Sequence, residues 1–165
     1  MSKLVIYNHG KDSIPWGEKA LALSEVAKHL GFEFISIDYR PSNDPEQRVE
    51  QLLSNDVSGY KKLILVGSSM GAYVATVAAQ TLKPQGLFLI APAFYLPDYA
   101  QTEFDTGHAT IEVFHGWRDD VVPPENAWRF CQTHHAKLNM RDSDHRLLSI
   151  LPEMAEAFDR FLRHC

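Results

Sequence analysis

The feature of this sequence that most restricts its fold is a regular alternation of short apolar runs with helical patterns. Five runs rich in aliphatic, β-branched or aromatic residues, and a weaker sixth, occur at residues 4–7, 32–37, 63–66, 86–90, 110–114 and 136–140. Most of them are apolar at nearly every position, which is typical of strands covered on both faces of a sheet. Strands that alternate with helices indicate βα units and a parallel sheet.

Helical patterns fill the intervals between the runs, at residues 18–30, 45–57, 72–82, 124–133 and 152–163. The apolar face predicted for the first helix consists of Leu21, Ala22, Val26, Ala27 and Leu30. Asp44 is the predicted N-cap of the second helix, with Pro45 at its first position. Right-handed crossovers place helices on both faces of a sheet. The sequence therefore predicts one domain over residues 1–165: a three-layer α/β/α sandwich with a shortened, mostly parallel sheet of about six strands.

Charge and composition exclude several classes of function. The net charge is −5 and the acidic residues are scattered, so the basic face that nucleic acid requires is missing. The apolar runs are too short to span a bilayer, and the first one is too short for the core of a signal peptide. The two cysteines, Cys131 and Cys165, have neither metal nor redox spacing. We therefore expect a cytoplasmic protein with no metal, no membrane span and no nucleic-acid partner.

A serine lies in a G-x-S-x-G segment between the third apolar run and an alanine-rich helical pattern. The segment reads Gly67-Ser68-Ser69-Met70-Gly71. A strained strand-to-helix turn projects its serine hydroxyl above the sheet, and it needs glycines where side chains would collide. Ser69 has the required offset from both glycines and is the predicted nucleophile, whereas Ser68 does not. The N–H of Met70, at the start of the helix, is a predicted oxyanion donor. By itself the motif also fits a serine that only caps the helix.

Two further polar segments follow later strands at the same edge of the predicted sheet. Asp119 and Asp120 come after the fifth run, and His145 lies in a polar loop after the sixth. A carboxylate just beyond the end of a strand can orient an imidazole and stabilise its protonated form. The chain order Ser, Asp, His differs from the orders of two unrelated serine-protease folds. His145 is the predicted base, and the spacing alone leaves Asp119 and Asp120 as alternative acids.

The first strand ends in Asn8-His9-Gly10-Lys11, which we interpret as the second part of an oxyanion hole. A loop that follows an early strand commonly supplies a backbone N–H to the developing negative charge. Gly10 allows the chain to bend, and the donor is the amide of Lys11 or that of Gly10. We assign His9 and Gly10 to the substrate-binding side, although the imidazole of His9 could instead brace the loop. A simple turn is the alternative interpretation of this segment.

Together these segments resemble the α/β-hydrolase superfamily, in particular its small lidless bacterial members. The matching parts are Asn8-His9-Gly10, the G-x-S-x-G segment, His115-Gly116-Trp117-Arg118-Asp119 followed by Val122-Pro123, and Asp144-His145. In that family the aspartate of the H-G-x-x-D segment is the triad acid, so the resemblance implies Asp119 rather than Asp120. The leading antiparallel strands of the family are missing here, and the cap that many relatives insert after the fourth strand is reduced to residues 92–107.

The resemblance implies a serine hydrolase that needs neither a metal nor an organic cofactor. Because the reduced cap leaves an open site, we expect a small-molecule substrate, a carboxylic ester of a small or short-chain acyl group, and an acyl-enzyme intermediate. The aromatic residues predicted to line the site are Phe94, Tyr95 and Trp117, with Tyr39 and Tyr99 as further candidates. A thioesterase or amide hydrolase with the same triad and a non-catalytic binding protein are the alternatives. The exposed sheet edges are compatible with a monomer or a homodimer.

Overall fold

The computed structural model describes residues 2–165 and contains a six-stranded sheet. The strands are β1 (Lys3–Asn8), β2 (Glu33–Ile37), β3 (Lys62–Ser68), β4 (Gly86–Ile90), β5 (Thr110–Gly116) and β6 (Lys137–Arg141). Their order in the sheet is β2-β1-β3-β4-β5-β6, and all neighbouring pairs within these residues run parallel. The prediction of a short parallel sheet of about six strands is therefore confirmed.

Helices cover both faces of this sheet, which confirms the three-layer prediction. The helices are α1 (Glu18–His29), α2 (Pro45–Leu53), α3 (Met70–Leu82), α4 (Pro124–His134) and α5 (Leu151–His164), and a 3-10 turn (Leu148–Ile150) precedes the last one. α1 and α5 share one core with the sheet, while α2, α3 and α4 share the other. Residues 91–109 between β4 and β5 form no helix or strand, in agreement with a fold that lacks a cap domain.

Alternation of side chains along each strand explains why the strands are apolar at almost every position. In β3, Leu63 and Leu65 belong to the core under α2, α3 and α4, while Ile64 and Val66 belong to the core under α1 and α5. Successive side chains of a strand point to opposite faces. A strand in the middle of a three-layer sandwich therefore needs apolar residues in both phases.

Two helices differ in detail from their predictions. The predicted apolar face of α1 is right in part: Ala27 is buried, and Val26 and Leu30 pack against the same core. Leu21, however, is 53% exposed, and Ala20 and Leu23 are buried in its place. The helix carries two overlapping apolar stripes, and its packing against α5 selects one of them. α2 ends at Leu53 rather than at residue 57, because the side-chain amide of Asn55 donates to carbonyl groups of the last turn.

The order of the strands places a crevice between β1 and β3. From β1 the chain moves outward to β2, and from β3 it moves in the opposite direction to β4. In open α/β sheets, ligands bind beyond the carboxyl ends of the strands at such a switch point. The Gly10 loop follows β1, and the serine turn follows β3. The topology therefore brings these two segments together at the most common location for a site in this architecture.

Candidate active site

The turn between β3 and α3 holds Ser69 in a backbone conformation that few non-glycine residues adopt. Its φ is 56° and its ψ is −115°, and its N–H donates to the Ile90 carbonyl over 2.8 Å. A Cβ on Gly67 would lie 2.3 Å from the carbonyl oxygen of Gly71, and a Cβ on Gly71 would lie 1.9 Å from that of Asn8. No side chain fits at residue 67 or at residue 71, so both positions require glycine. The strained backbone of Ser69 costs about 1–3 kcal/mol of folding free energy.

Hydrogen bonds link Ser69, His145 and Asp119 in a continuous chain. Oγ of Ser69 lies 3.0 Å from Nε2 of His145, and Nδ1 of His145 lies 2.7 Å from Oδ2 of Asp119. An ionised carboxylate can only accept hydrogen bonds, so Nδ1 carries the imidazole proton and Nε2 is left to accept from the serine hydroxyl. These side chains follow β3, β5 and β6, so the three strands deliver them to one edge of the sheet.

The carboxylate of Asp119 is buried and is surrounded by donors. Its Oδ1 accepts from the N–H groups of Val121 and Val122, both at 2.8 Å. Its Oδ2 accepts from His145 and lies 3.2 Å from Nε2 of His115. Burial alone would raise the pKa of Asp119, but hydrogen bonds from the two histidines and the two amides hold it well below its usual range. The group is therefore ionised at neutral pH.

The structure also separates this set from the neighbouring candidates. Asp120 is exposed, and the carboxylate that reaches His145 is that of Asp119. The buried Ser68 ends β3, and the hydroxyl that reaches His145 is that of Ser69. Oδ1 of Asp144 accepts from two N–H groups of its own loop at 3.1 Å, so this residue shapes the loop. The predicted nucleophile, acid and base thus lie together, and their catalytic roles stay predictions.

The predicted oxyanion donors lie beside the serine. A Cβ added to Gly10 would be 3.5 Å from the Cβ of Ser69, so the loop after β1 touches the serine turn. Within residues 2–165, the N–H groups of Met70, Lys11 and Gly10 donate to no other group of the chain. All three are therefore available to an incoming acceptor, and the choice between Lys11 and Gly10 as the second donor stays open.

Comparison with known proteins assigns a family to the chain. Residues 4–111 match the model of UPF0227, which is described as an uncharacterised protein family. The chain belongs to UPF0227. No protein of curated function matches the sequence of this UPF0227 chain.

Solved structures share the fold of the UPF0227 chain over its full length. A candidate hydrolase of the α/β superfamily from Xanthomonas campestris pv. campestris is 27% identical, with a TM-score of 0.91 and 100% of both chains covered. A lidless α/β serine hydrolase from Xanthomonas campestris is 19% identical, with a TM-score of 0.79, and 98% of this chain and 81% of that one are covered. An esterase from Pyrococcus furiosus is 20% identical, with a TM-score of 0.76 and coverages of 99% and 83%. The UPF0227 chain therefore has the α/β-hydrolase fold.

A polar cavity of about 360 Å³ opens beside Ser69 and His145 in the UPF0227 chain. Its other lining residues are Tyr7, Gly10, Lys11, Asp12, Ser13, Lys19, Ser68 and Arg146. A second cavity of about 280 Å³ shares Tyr7, Ser13, Lys19 and Arg146 with it, so the two form one groove. Burial, followed by the charge of Arg146, lowers the pKa of Lys19 to about 8. The groove thus presents polar and basic groups next to the serine.

His9 lies behind the loop rather than in the groove, so its assignment to substrate binding was wrong. Its Nε2 accepts from the N–H of Tyr39 at 2.9 Å, which leaves Nδ1 as the donor to the Gly10 carbonyl at 2.8 Å. The ring is almost completely buried, and burial lowers its pKa. Arg48, on α2, also holds this segment, because its guanidinium donates to the His9 carbonyl. His9 therefore braces the loop, while Gly10 does line the cavity.

The aromatic residues predicted to line the site do not do so. Phe94 is fully buried and its ring centroid lies 4.2 Å from that of Phe130, so its assignment was wrong. Tyr95 packs against the Phe94 ring and the guanidinium of Arg129. Trp117 is 62% exposed and lines a separate apolar cavity of about 230 Å³. Tyr39 is also buried. An aromatic residue in a loop has no sequence signal that tells packing from ligand contact.

Sequence reasoning missed three residues around the site and the role of a fourth. Tyr7, Lys19 and Arg146 line the groove, and His115 contacts Asp119. Arg146 follows the predicted base directly, and His115 begins the H-G-x-x-D segment, so both had a signal in the sequence. Lys19 lies on α1, more than a hundred residues away from His145, and donates to the Arg146 carbonyl at 2.9 Å. Only the packing of α1 beside that loop reveals it.

Two further observations concern metals and membranes. Among residues 2–165, no three side chains of the His, Cys, Asp or Glu type are grouped so that they could hold a metal ion. None of the helices in the same residues is both long and apolar enough to cross a bilayer.

Proposed function

We propose that this UPF0227 chain is a serine hydrolase that cleaves carboxylic esters of small or short-chain acyl groups. The observation that carries the proposal is the hydrogen-bond chain from Ser69 through His145 to Asp119, with a strained serine turn at its head. A buried carboxylate that orients an imidazole toward a serine hydroxyl is the arrangement that activates serine as a nucleophile. The structural relatives support the proposal, because they include proteins described as hydrolases and as an esterase.

In the proposed reaction each residue has one part. Nε2 of His145 takes the proton from Oγ of Ser69 while Oγ attacks the acyl carbon, and Asp119 stays ionised and stabilises the imidazolium. The N–H of Met70 and that of Lys11 donate to the oxyanion. His145 then gives its proton to the departing alcohol, and an acyl-enzyme remains. A water molecule, deprotonated by His145, attacks the acyl carbon; the bond from that carbon to Oγ breaks, His145 returns the proton to Oγ of Ser69, and the acid is released.

The shape and chemistry of the groove support a small substrate. The cavity beside the serine holds about 360 Å³ and is lined mainly by polar and charged groups, including Lys11 and Arg146. A long lipid chain is bound best by an apolar tunnel, because apolar surface gains most when it is buried against apolar surface. The residues that line this cavity are mainly polar and do not form such a tunnel. Compact acyl groups therefore fit the site better than long ones.

Labelling with a fluorophosphonate probe tests the nucleophile. We expect the native chain to be labelled and the Ser69→Ala variant to remain unlabelled, because the probe phosphonylates an activated serine. Ser68→Ala is the matched control and should be labelled like the native chain. Labelling that survives in Ser69→Ala would overturn the assignment, and a native chain that resists the probe would favour the non-catalytic alternative.

A substrate panel then tests the bond that is cleaved. Matched esters, thioesters and amides with acyl chains of increasing length should give their highest kcat/KM with short-chain esters. Higher kcat/KM for thioesters or amides of the same acyl group would leave the triad assignment intact, but it would make the protein a thioesterase or an amide hydrolase instead of an esterase. Higher kcat/KM for long chains would contradict the inference drawn from the polar groove.

A further inference from the structure

His115 is a buried histidine that the proposed mechanism leaves without a role. It is the next-to-last residue of β5 and is completely inaccessible to solvent. Its Nε2 lies 2.9 Å from the carbonyl oxygen of Val122 and 3.2 Å from Oδ2 of Asp119. Its Nδ1 is buried and has no hydrogen-bond partner among residues 2–165. The ring therefore makes polar contact only with the segment that carries the acid.

These contacts determine which nitrogen of His115 carries the proton. Both neighbours of Nε2 are oxygen atoms that only accept, so the proton must be on Nε2 and is shared between them. The carbonyl lies at the shorter distance and the carboxylate at the longer one. A second proton on Nδ1 would be buried without an acceptor, which is unfavourable. The ring is therefore a donor at Nε2.

The contacts close a loop around the acid. Val122 donates its N–H to Oδ1 of Asp119 and accepts from His115 at its carbonyl oxygen. His115 in turn faces Oδ2, which is the oxygen that accepts from His145. The carboxylate is thus held at both oxygens, and one of the two holds comes from His115. Rotation of the carboxylate would break contacts on both sides of this loop.

We propose that His115 is a positioning residue of the proposed triad. Its Nε2–H clamps the Asp119–Val122 turn and directs Oδ2 of Asp119 toward Nδ1 of His145. The expected effect on kcat rests on the proposed function, because a carboxylate that orients the base affects the rate of hydrolysis only if the chain is a hydrolase. The contacts themselves do not depend on that function.

Packing alone does not account for a histidine at this position. A leucine would occupy similar space without burying an unpaired nitrogen, although it would also leave the Val122 carbonyl and Oδ2 of Asp119 without this donor. Structural histidines in cores normally have both ring nitrogens satisfied. His115 buries an unpaired nitrogen, which is unfavourable for the core, and it faces the carboxylate of the proposed triad. This combination fits a role in function better than a role in packing.

Kinetics of His115→Leu test the proposal. We expect kcat to fall about tenfold with KM little changed, since a misdirected acid weakens the base without touching the substrate. His115→Gln should recover most of the loss, because its amide nitrogen can replace the Nε2 donor. Thermal unfolding should verify that His115→Leu, in which two buried acceptors lose a donor, is still fully folded at the assay temperature. A similar loss of kcat in the control His134→Leu, a half-buried histidine on α4, would overturn the inference.

A double-mutant cycle separates positioning from general damage. In the Asp119→Ala background, His115→Leu should change kcat less than about twofold, because the group through which it acts is gone. A full tenfold loss in that background would show a structural role and overturn the proposal.

A measurement on the resting protein keeps this test independent of the proposed function. The proton between Nδ1 of His145 and Oδ2 of Asp119 should give a low-field NMR resonance. In His115→Leu it should move upfield, because a carboxylate that is no longer held at Oδ2 turns away from Nδ1 of His145 and their hydrogen bond lengthens. It should return toward its native position in His115→Gln. An unchanged resonance would overturn the His115 proposal, whereas inactivity of the native chain toward every ester would overturn only the proposed function.

Discussion

Replacing Asp119 by asparagine tests whether its charge and acceptor geometry determine the state of His145. Oδ1 of Asp119 accepts from the N–H groups of Val121 and Val122, so the new NH₂ group cannot take that position without opposing two donors. It must take the position of Oδ2, where it faces the N–H groups of His145 and His115. His145 can relieve the conflict only by moving its proton to Nε2.

The size of the effect follows from that change of tautomer. With a proton on Nε2, His145 can no longer accept from Oγ of Ser69, which lies 3.0 Å away. Loss of the correct tautomer in a serine triad costs about 10⁴-fold in kcat, or about 5 kcal/mol of transition-state stabilisation. We expect Asp119→Asn to show a loss of this size with little change in KM.

The assay is the steady-state hydrolysis of a chromogenic ester of a short acyl group, with circular dichroism to verify the fold. Asp120→Asn is the matched control, because Asp120 carries the same charge one residue away and is exposed. We expect it to retain native activity within about twofold, as is usual for surface substitutions. A folded Asp119→Asn with native kcat, or an equal loss in both variants, would refute this reasoning.

Three further predictions follow from the same geometry. Gly71→Ala should lower the free energy of unfolding in urea by more than about 3 kcal/mol, because its Cβ would collide with the Asn8 backbone; Gly59→Ala, whose Cβ meets open space, is the control. The native chain should lose stability as the pH falls below about 4, because the folded pKa of Asp119 is depressed and protonation cancels its contribution; acid titration of Asp119→Asn should show a shallower loss. Lys11→Pro should lower kcat by about 10²–10³, whereas Lys11→Ala, which keeps the backbone N–H, should not.

Each of these predictions has its own contradicting result. Equal urea midpoints for the two glycine variants would mean that α3 leaves room for a side chain between Gly71 and Asn8. Parallel acid titrations of the native and Asp119→Asn chains would mean that another carboxyl group controls acid unfolding. Equal kinetics of the two Lys11 variants would move the second oxyanion donor to Gly10.

Much of the fold and the serine could be predicted from the sequence, because both depend on local patterns. A strand covered on both faces must be apolar in both phases, so six runs were recognisable without any knowledge of their partners. The serine turn is equally local, since Gly67 and Gly71 are demanded by backbone contacts within and directly beside the turn. The order of Ser69 and His145 along the chain then places both at one edge of a parallel sheet.

The features that depend on orientation were decided only by the tertiary structure. The face that α1 buries depends on its packing against α5. The ring of Phe94 points into the core, where it stacks on the ring of Phe130. Asp119 is distinguished from Asp120 by the two amides and two histidines that surround it. Asp119 and Asp120 are neighbours in the same loop, but only Asp119 is buried. The contacts that this loop makes with the neighbouring segments decide which of the two carboxylates points inward.

The serine turn was therefore determined by the sequence itself, whereas the environment of the acid was determined by the fold. Steric exclusion at Gly67 and Gly71 acts between atoms close in the chain or in adjacent strands, so it leaves a motif. Asp119 draws its donors from separate places on β5, its own loop and the loop after β6. Hydrogen bonds between distant segments leave no fixed spacing in a sequence, so the place of Lys19 beside the site was decided only by the packing of α1 against the loop after β6.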